Sequence, residues 1–83
     1  MKIKSASLKE IVIDELTWTA AEQAALLNLN IHGIIGSHMG GYANRLRWFE
    51  KCKTAGFLDG NMKFTPEGQT FVSVIHLKML EKN

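Results

Sequence analysis

Few side chains in this sequence are of the types that carry out covalent catalysis. Ser37 and His38 are neighbours along the chain, and Cys52 is the single cysteine among 83 residues. An enzyme would need a nucleophile with a base, or a pair of carboxylates, in a recognisable arrangement, and none is visible. Cys52 falls on the apolar side of a predicted helix, where a cysteine generally behaves as a small hydrophobic side chain. We therefore expect no enzymatic activity.

Metal and phosphate binding are weakly supported as well. The zinc-ligand types present are His32, His38, Cys52 and His76, but no two of them have the C-x₂-C or H-x₃-H spacing that places ligands on one side of a turn. Four glycines between residues 33 and 41 follow the pattern G-x-x-G-x-x-x-G-G, which lacks the lysine and the clear preceding strand of a P-loop. The sequence therefore predicts no metal and no cofactor.

The cationic side chains are better candidates because they are clustered. The net charge is only +2, but residues 42 to 63 carry five cationic side chains against two acidic ones, whereas residues 11 to 22 carry three acids and no base. Charge polarised onto one segment is typical of a nucleic-acid-binding surface. A solvated helix face would give the same pattern, since lysine and arginine are good helix formers. The cluster consists of Arg45, Arg47, Lys51, Lys53 and Lys63.

A predicted helix from Tyr42 to Thr54 positions most of these cations. Its apolar residues recur about every 3.6 positions, which predicts one inward stripe and one polar outer face. Trp48, at the edge of the stripe, is expected to cover the margin of the core. The inward stripe comprises Tyr42, Leu46, Phe49 and Lys53, with Cys52 beside it, and the outer face comprises Asn44, Arg47, Lys51 and Thr54.

A tight hairpin and a further helix follow. Gly56 supplies the left-handed residue that ends the first helix, and Asp59-Gly60-Asn61 suits a turn between two short strands, 57–58 and 62–64. Thr65 offers an N-cap hydroxyl, and Pro66 fits the first helical position, where its missing N–H costs nothing. We expect the last helix to begin at Pro66.

The first half of the chain is less clearly encoded. Ser7 and Glu10 have capping-box spacing, which slightly favours a helix from Leu8 to Leu16, although the β-branched run 11–13 favours a strand. A stronger capping box at Thr19 predicts a helix from Ala20 to Leu29, with Trp18 packing against its first turns. The conformation of residues 30–41 stays open: a short helix, 31–35, with a turn at 36–41 would make a helix-turn-helix pair, but four glycines weaken any helix here.

The order helix, A-G-F-L, hairpin and T-P-E-G helix resembles the second half of a winged helix-turn-helix domain, as in the MarR and PadR-like regulator families. The resemblance covers roughly residues 42 to 80, with Cys52 where a leucine is usual. It implies a mainly α fold with a small two-stranded β-hairpin, and a small DNA-binding transcriptional regulator of phage or plasmid type. A cytoplasmic location is expected on separate grounds, since no secretory signal is visible and the single cysteine fits a reducing compartment. Tyr42, Asn44, Arg45, Arg47 and Lys51 would meet the major groove, while Lys53 and Lys63 would touch phosphates.

An alternative function is a protein-interaction adaptor or inhibitor built on the same scaffold without DNA binding. The wing loop 59–61 is too short to reach far into a minor groove, and it carries an acid. Winged helices also serve as protein-interaction modules, so both functions remain open at the level of sequence.

Self-association is expected through the last helix. Phe71, Ile75 and Met79 form one apolar stripe, sufficient to dock the helix on its own domain, and a second stripe lies on another side. An exposed second stripe would favour a homodimer, unless the N-terminal helix covers it. The predicted dimer contacts are Val74, Leu77 and Leu80.

Length and composition are consistent with one small domain spanning residues 1–83. A hydrophobic content of 46% and a single proline exclude disorder of the whole chain. No apolar run approaches the ~18–20 residues needed to cross a bilayer, and no secretory signal is visible. We expect no membrane association.

Overall fold

The computed structural model describes residues 3–6, 10–37 and 39–81. Their elements follow the order β1 (Ile3–Ala6), β2 (Glu10–Ile13), β3 (Leu16–Thr19), α1 (Ala20–His32), α2 (Tyr42–Thr54) and α3 (Pro66–Glu81). An isolated β-bridge joins Leu58 to Phe64 between α2 and α3. The chain is mainly helical with a small β component, as predicted. In the described part of the chain no helix is both long and apolar enough to cross a membrane.

The N-terminal segment forms an antiparallel three-stranded sheet in the order β1-β2-β3. The helix predicted for residues 8–16 is therefore wrong over its described part, and the Ser7 to Lys9 portion of the capping box lies outside the described residues. Ile13 pairs with Leu16, so Asp14 and Glu15 form a two-residue turn, and both have positive φ, 48° and 73°. Positive φ at both central residues is the geometry of tight hairpins, which usually have glycine or asparagine there.

Helix α1 begins as predicted. The Thr19 hydroxyl accepts from the backbone N–H of Glu22, and the Glu22 carboxylate accepts from the backbone N–H of Thr19, completing the capping box. The helix continues beyond Leu29 to His32 and ends where Gly33 adopts φ 76°. A left-handed glycine ends a helix, so the separate short helix 31–35, one of the possibilities that the sequence left open, is not formed.

Helix α2 has the predicted bounds but a different buried face. Trp48 and Cys52 are 1% and 0% exposed, whereas Tyr42 and Leu46 of the predicted inward stripe are 70% and 45% exposed. Residues four apart lie on the same side of a helix, so the Trp48–Cys52 side faces the core. Trp48 is thus a core residue and not a margin residue.

The segment after α2 packs closely on the start of α3. Gly56 has φ 84°, and Thr65 caps α3 by accepting from the N–H of Gly68, as expected from the sequence. The two predicted hairpin strands are reduced to the single bridge. At Gly68 a Cβ atom would lie 2.1 Å from the carbonyl oxygen of Phe57, so only glycine fits this approach.

The core joins the sheet to all three helices around an aromatic cluster. The rings of Trp18, Phe57 and Phe71 have centroid separations of 4.6 to 5.3 Å. The buried Gln23 donates from its amide to the carbonyl oxygen of Trp18 and accepts from Lys78 of α3. These contacts hold together the sheet, α1, α3 and the second half of α2, which we call the body of the domain. The first residues of α2 remain exposed.

Candidate nucleic-acid interface

The first six residues of α2, 42–47, are all exposed, and we call this segment the α2 tip. The rest of the helix is held to the body by Trp48, whose indole N–H donates to the carbonyl oxygen of Glu22, and by the buried Cys52. The tip starts from Gly41, which provides no side-chain cap, and its first turn holds no acidic residue. The positive end of the helix dipole is therefore uncompensated at an exposed site.

Two arginines and an asparagine lie on the α2 tip. Arg47 donates from its guanidinium to the Asn44 side-chain oxygen, and Arg45 forms no ion pair with an acidic residue among those described. Both guanidinium groups keep donors directed to solvent because their side chains are exposed. These residues, with the exposed Tyr42, match the positions expected to contact a partner.

Lys51 is placed differently from the expectation that it lies on the outer face. Its ammonium group binds both carboxylate oxygens of Glu22, at 2.9 and 3.1 Å, donates to the carbonyl oxygen of Thr17, and lies 4.5 Å from the Trp18 ring centroid. The side chain is 25% exposed. Lys51 therefore ties α2 to α1 and β3, and its three donors are occupied within the domain.

Lys53 is also partly engaged. Its ammonium group pairs with Glu50 at 2.9 Å and lies 4.8 Å from the Phe49 ring centroid. An exposed pair of this kind contributes little to stability and can be exchanged for another anion. Glu50, whose charge would oppose a phosphate, is neutralised by this contact.

Lys63 approaches the α2 tip from the loop between α2 and α3. In that loop the backbone N–H groups of Lys63 and Asn61 donate to the Asp59 carboxylate, and they hold the pKa of Asp59 below its usual value. Lys63 and Arg45 line one groove of about 530 Å³, which we call the tip groove. Its polar lining residues are Arg45, Asn61 and Lys63, and its large apolar lining residues are Leu29, Ile34, Ile35 and Met62.

The tip groove has no single sequence signal, because it joins residues from three separate parts of the chain. Asn61 and the segment 33–36 were not predicted as site residues. The missing cap at Gly41 could have been noticed, since glycine has no side chain that could accept from the first helical N–H groups.

The two predicted dimer residues whose side chains are described differ in environment. Val74 is half-buried and packs against the core cluster, whereas Leu77 is 61% exposed. The side chain of Leu80 lies outside the described residues. Val74 therefore belongs in part to the domain's own packing, and Leu77 is the described residue that presents an unpaired apolar surface on this stripe.

The described residues among those considered for catalysis and metal binding are not assembled into a site. Cys52 is fully buried, and burial raises the pKa of its thiol to about 12, with the neighbouring Glu22 charge acting in the same direction. Among the described residues no three His, Cys, Asp or Glu side chains are grouped to hold a metal ion. His38 lies outside those residues.

No family model, curated protein or solved structure gives a significant match to this chain.

Proposed function

We propose that this protein binds duplex DNA through the α2 tip and acts as a small transcriptional regulator of winged-helix type. The observation that carries the proposal is the exposure of the whole α2 tip together with its two arginines and its uncapped N-terminus. A helix about 10–12 Å across fits the major groove, which is about 12 Å wide. Each of the six residues of the tip is exposed, so their side chains are accessible to such a groove.

The composition of the tip supports nucleic acid as the partner. Arginine is the usual side chain for guanine edges, asparagine for adenine edges, and exposed backbone N–H groups at a helix start suit phosphates. Arg45, Arg47 and Asn44 would contact bases or the adjoining backbone, with Tyr42 packing against a sugar or base edge. Lys63 would bind a phosphate from the side of the loop.

The two remaining cations take weaker roles in this proposal. Lys53 could exchange Glu50 for a phosphate, while Lys51 is assigned to the internal ion pair with Glu22. The proposed DNA surface is therefore Tyr42, Asn44, Arg45, Arg47 and Lys63, with Lys53 at its edge.

Fluorescence anisotropy with a labelled random duplex, titrated at several salt concentrations, tests the proposal. Neutralising three phosphates, by Arg45, Arg47 and Lys63, should give a slope of log K against log salt of about −3 per protomer. If Arg45 contacts a base, Arg45→Gln should weaken binding by about 1–3 kcal/mol. If it contacts a phosphate, the same change should make the slope of log K against log salt less steep by about 1.

Lys53→Gln is the matched control, because it removes one positive charge from the same helix at a residue already paired with Glu50. It should weaken binding less than Arg45→Gln or Arg47→Gln. Equal losses in all three variants would indicate a nonspecific charge effect, and no binding by the unmodified protein at about 50 mM salt would reject DNA as the partner.

A second candidate function, binding to a protein partner through the same tip, is supported by a different observation. Tyr42 and Leu46 are large apolar side chains exposed on the tip, and the short loop beside it carries the Asp59 charge. Exposed aromatic and aliphatic side chains are typical anchors of protein interfaces. Loss of partner binding in Tyr42→Ala and Leu46→Ala, with no affinity for DNA, would favour this function.

A further inference from the structure

The tip groove has both apolar and cationic lining residues, and we infer that it is a binding site for a small organic anion, with one carboxylate or phosphate group on an apolar body. Its volume of about 530 Å³ lies within the usual range for small-molecule sites. None of its lining residues is acidic, and each of its two charged residues is a cation. A cationic ligand would be repelled by both of these charges.

The two cations come from different elements and line the same groove. Arg45 belongs to α2 and Lys63 to the loop after it, and Asn61 of that loop also lines the groove. An anionic group bound by both cations would accept hydrogen bonds from a guanidinium and from an ammonium group. The Asp59 carboxylate accepts at one oxygen from the backbone N–H groups of Asn61 and Lys63, and its charge also acts on Lys63, so a bound anion would share Lys63 with it.

The apolar lining residues are the reason to expect a ligand with an apolar group as well as a charge. Leu29 is 8% exposed, and Ile35 and Met62 are half-buried, so they form a surface on which a ligand can displace water. Ile34, at 64% exposure, also lines the groove, and an occupant would cover part of its side chain. Its backbone is anchored where the Asn28 amide donates to the Ile34 carbonyl oxygen.

The test is an NMR titration of the ¹⁵N-labelled protein in the absence of DNA. The probes are octanoate and octyl phosphate, with octanamide as the uncharged analogue and acetate as the anion without a body. One of the two octyl anions should give saturable shifts at residues 29–36 and 61–63 with millimolar affinity, as expected for a ligand of about ten heavy atoms. Octanamide and acetate should bind more weakly, and the stronger octyl anion identifies the acidic group that the site prefers.

Arg45→Gln and Lys63→Gln should each weaken the binding of that anion roughly fivefold, whereas Lys53→Gln should leave it unchanged. The site is rejected if neither octyl anion gives saturable shifts at millimolar concentration, if the shifts map elsewhere, if octanamide binds equally well, or if the Arg45 and Lys63 variants bind like the unmodified protein.

A consequence for regulation rests on the proposed function: Arg45 and Lys63 would serve both ligands, so the bound anion should weaken DNA binding. The anion site and the DNA-binding function can each be rejected without the other. Saturable anion binding without DNA affinity would uphold the site and reject the proposed function, whereas DNA affinity without anion binding would do the reverse.

Discussion

Replacing Gly68 by alanine should destabilise the domain, although a typical change from glycine to alanine in a helix is stabilising. The added Cβ would lie 2.1 Å from the Phe57 carbonyl oxygen and 2.9 Å from its carbon, whereas ordinary contacts begin near 3.4 Å. Either α3 or the chain at Phe57 must therefore shift by more than 1 Å. Phe57 is 2% exposed and packs on Trp18 and Phe71, so it has no free space to move into.

The expected change in the free energy of unfolding of Gly68→Ala follows from three contributions. The shift strains the hydrogen bond from the Thr65 N–H to the Phe57 carbonyl oxygen, at 3.1 Å, which is worth about 1 kcal/mol. Overpacking of a tight core costs about 1–3 kcal/mol, and the better helix propensity of alanine returns about 1 kcal/mol. The net loss is about 1–3 kcal/mol, or roughly 5–20 °C in melting temperature for a domain of this size.

Two other glycines serve as controls in urea unfolding followed by tryptophan fluorescence. Gly60 has no atom within 4 Å of its Cβ position and no positive φ, so Gly60→Ala should be neutral or stabilising by up to about 1 kcal/mol. Gly33 is equally open but has φ 76°, so Gly33→Ala should cost about 1 kcal/mol from backbone strain alone. If Gly68→Ala unfolds at the same urea concentration as Gly60→Ala, the close approach of α3 to Phe57 is wrong.

Three further outcomes are expected. The Cys52 thiol should react slowly with a thiol reagent in the native protein and rapidly in urea. The folded pKa of this thiol, about 12, exceeds the unfolded value near 9.0. Its contribution to stability is therefore complete below pH 9 and should fall as the pH rises from 9 to 12. A double-mutant cycle of Glu22→Gln with Lys51→Met should give a coupling energy of about 1 kcal/mol in urea unfolding, and zero coupling would show that their ion pair is not formed. If α3 mediates a homodimer, Leu77→Glu should lower the sedimentation coefficient at high micromolar concentration, and an unmodified protein that is already monomeric there would reject the dimer.

The features predicted correctly from sequence depend on signals within a few residues of one another. Thr19 and Glu22 are three apart and form the α1 capping box, while Thr65 and Pro66 mark the start of α3. Such caps satisfy backbone groups locally, so they specify a helix start whatever the rest of the chain does. The bounds of α2 were correct for a similar reason, since Gly56 ends the segment with a left-handed residue.

The two main errors have different causes. The strands β2 and β3 form because they pair with each other across a turn of Asp14 and Glu15, which lacks the Asn-Gly or Asp-Gly sequence that usually marks such a turn. The predicted face of α2 was wrong because Tyr42 and Leu46 continue the apolar periodicity into the exposed part of the helix, where they are 70% and 45% exposed. Periodicity shows which residues share a side, but tertiary contacts determine which side is buried.

Helix α2 divides into the exposed tip, 42–47, and a second half held to the core by Trp48 and Cys52. Mutations in the tip can therefore test binding separately from stability. From Trp48 onward the helix is part of the core, so a change at Lys51 would alter stability as well as any binding, because Lys51 holds Glu22 and Thr17. Arg45 and Arg47 precede that point and are exposed, and surface substitutions of this kind usually change stability by less than about 0.5 kcal/mol. Variants at these two arginines should therefore keep the native unfolding transition, and a loss of binding in them would report on the interface and not on the fold.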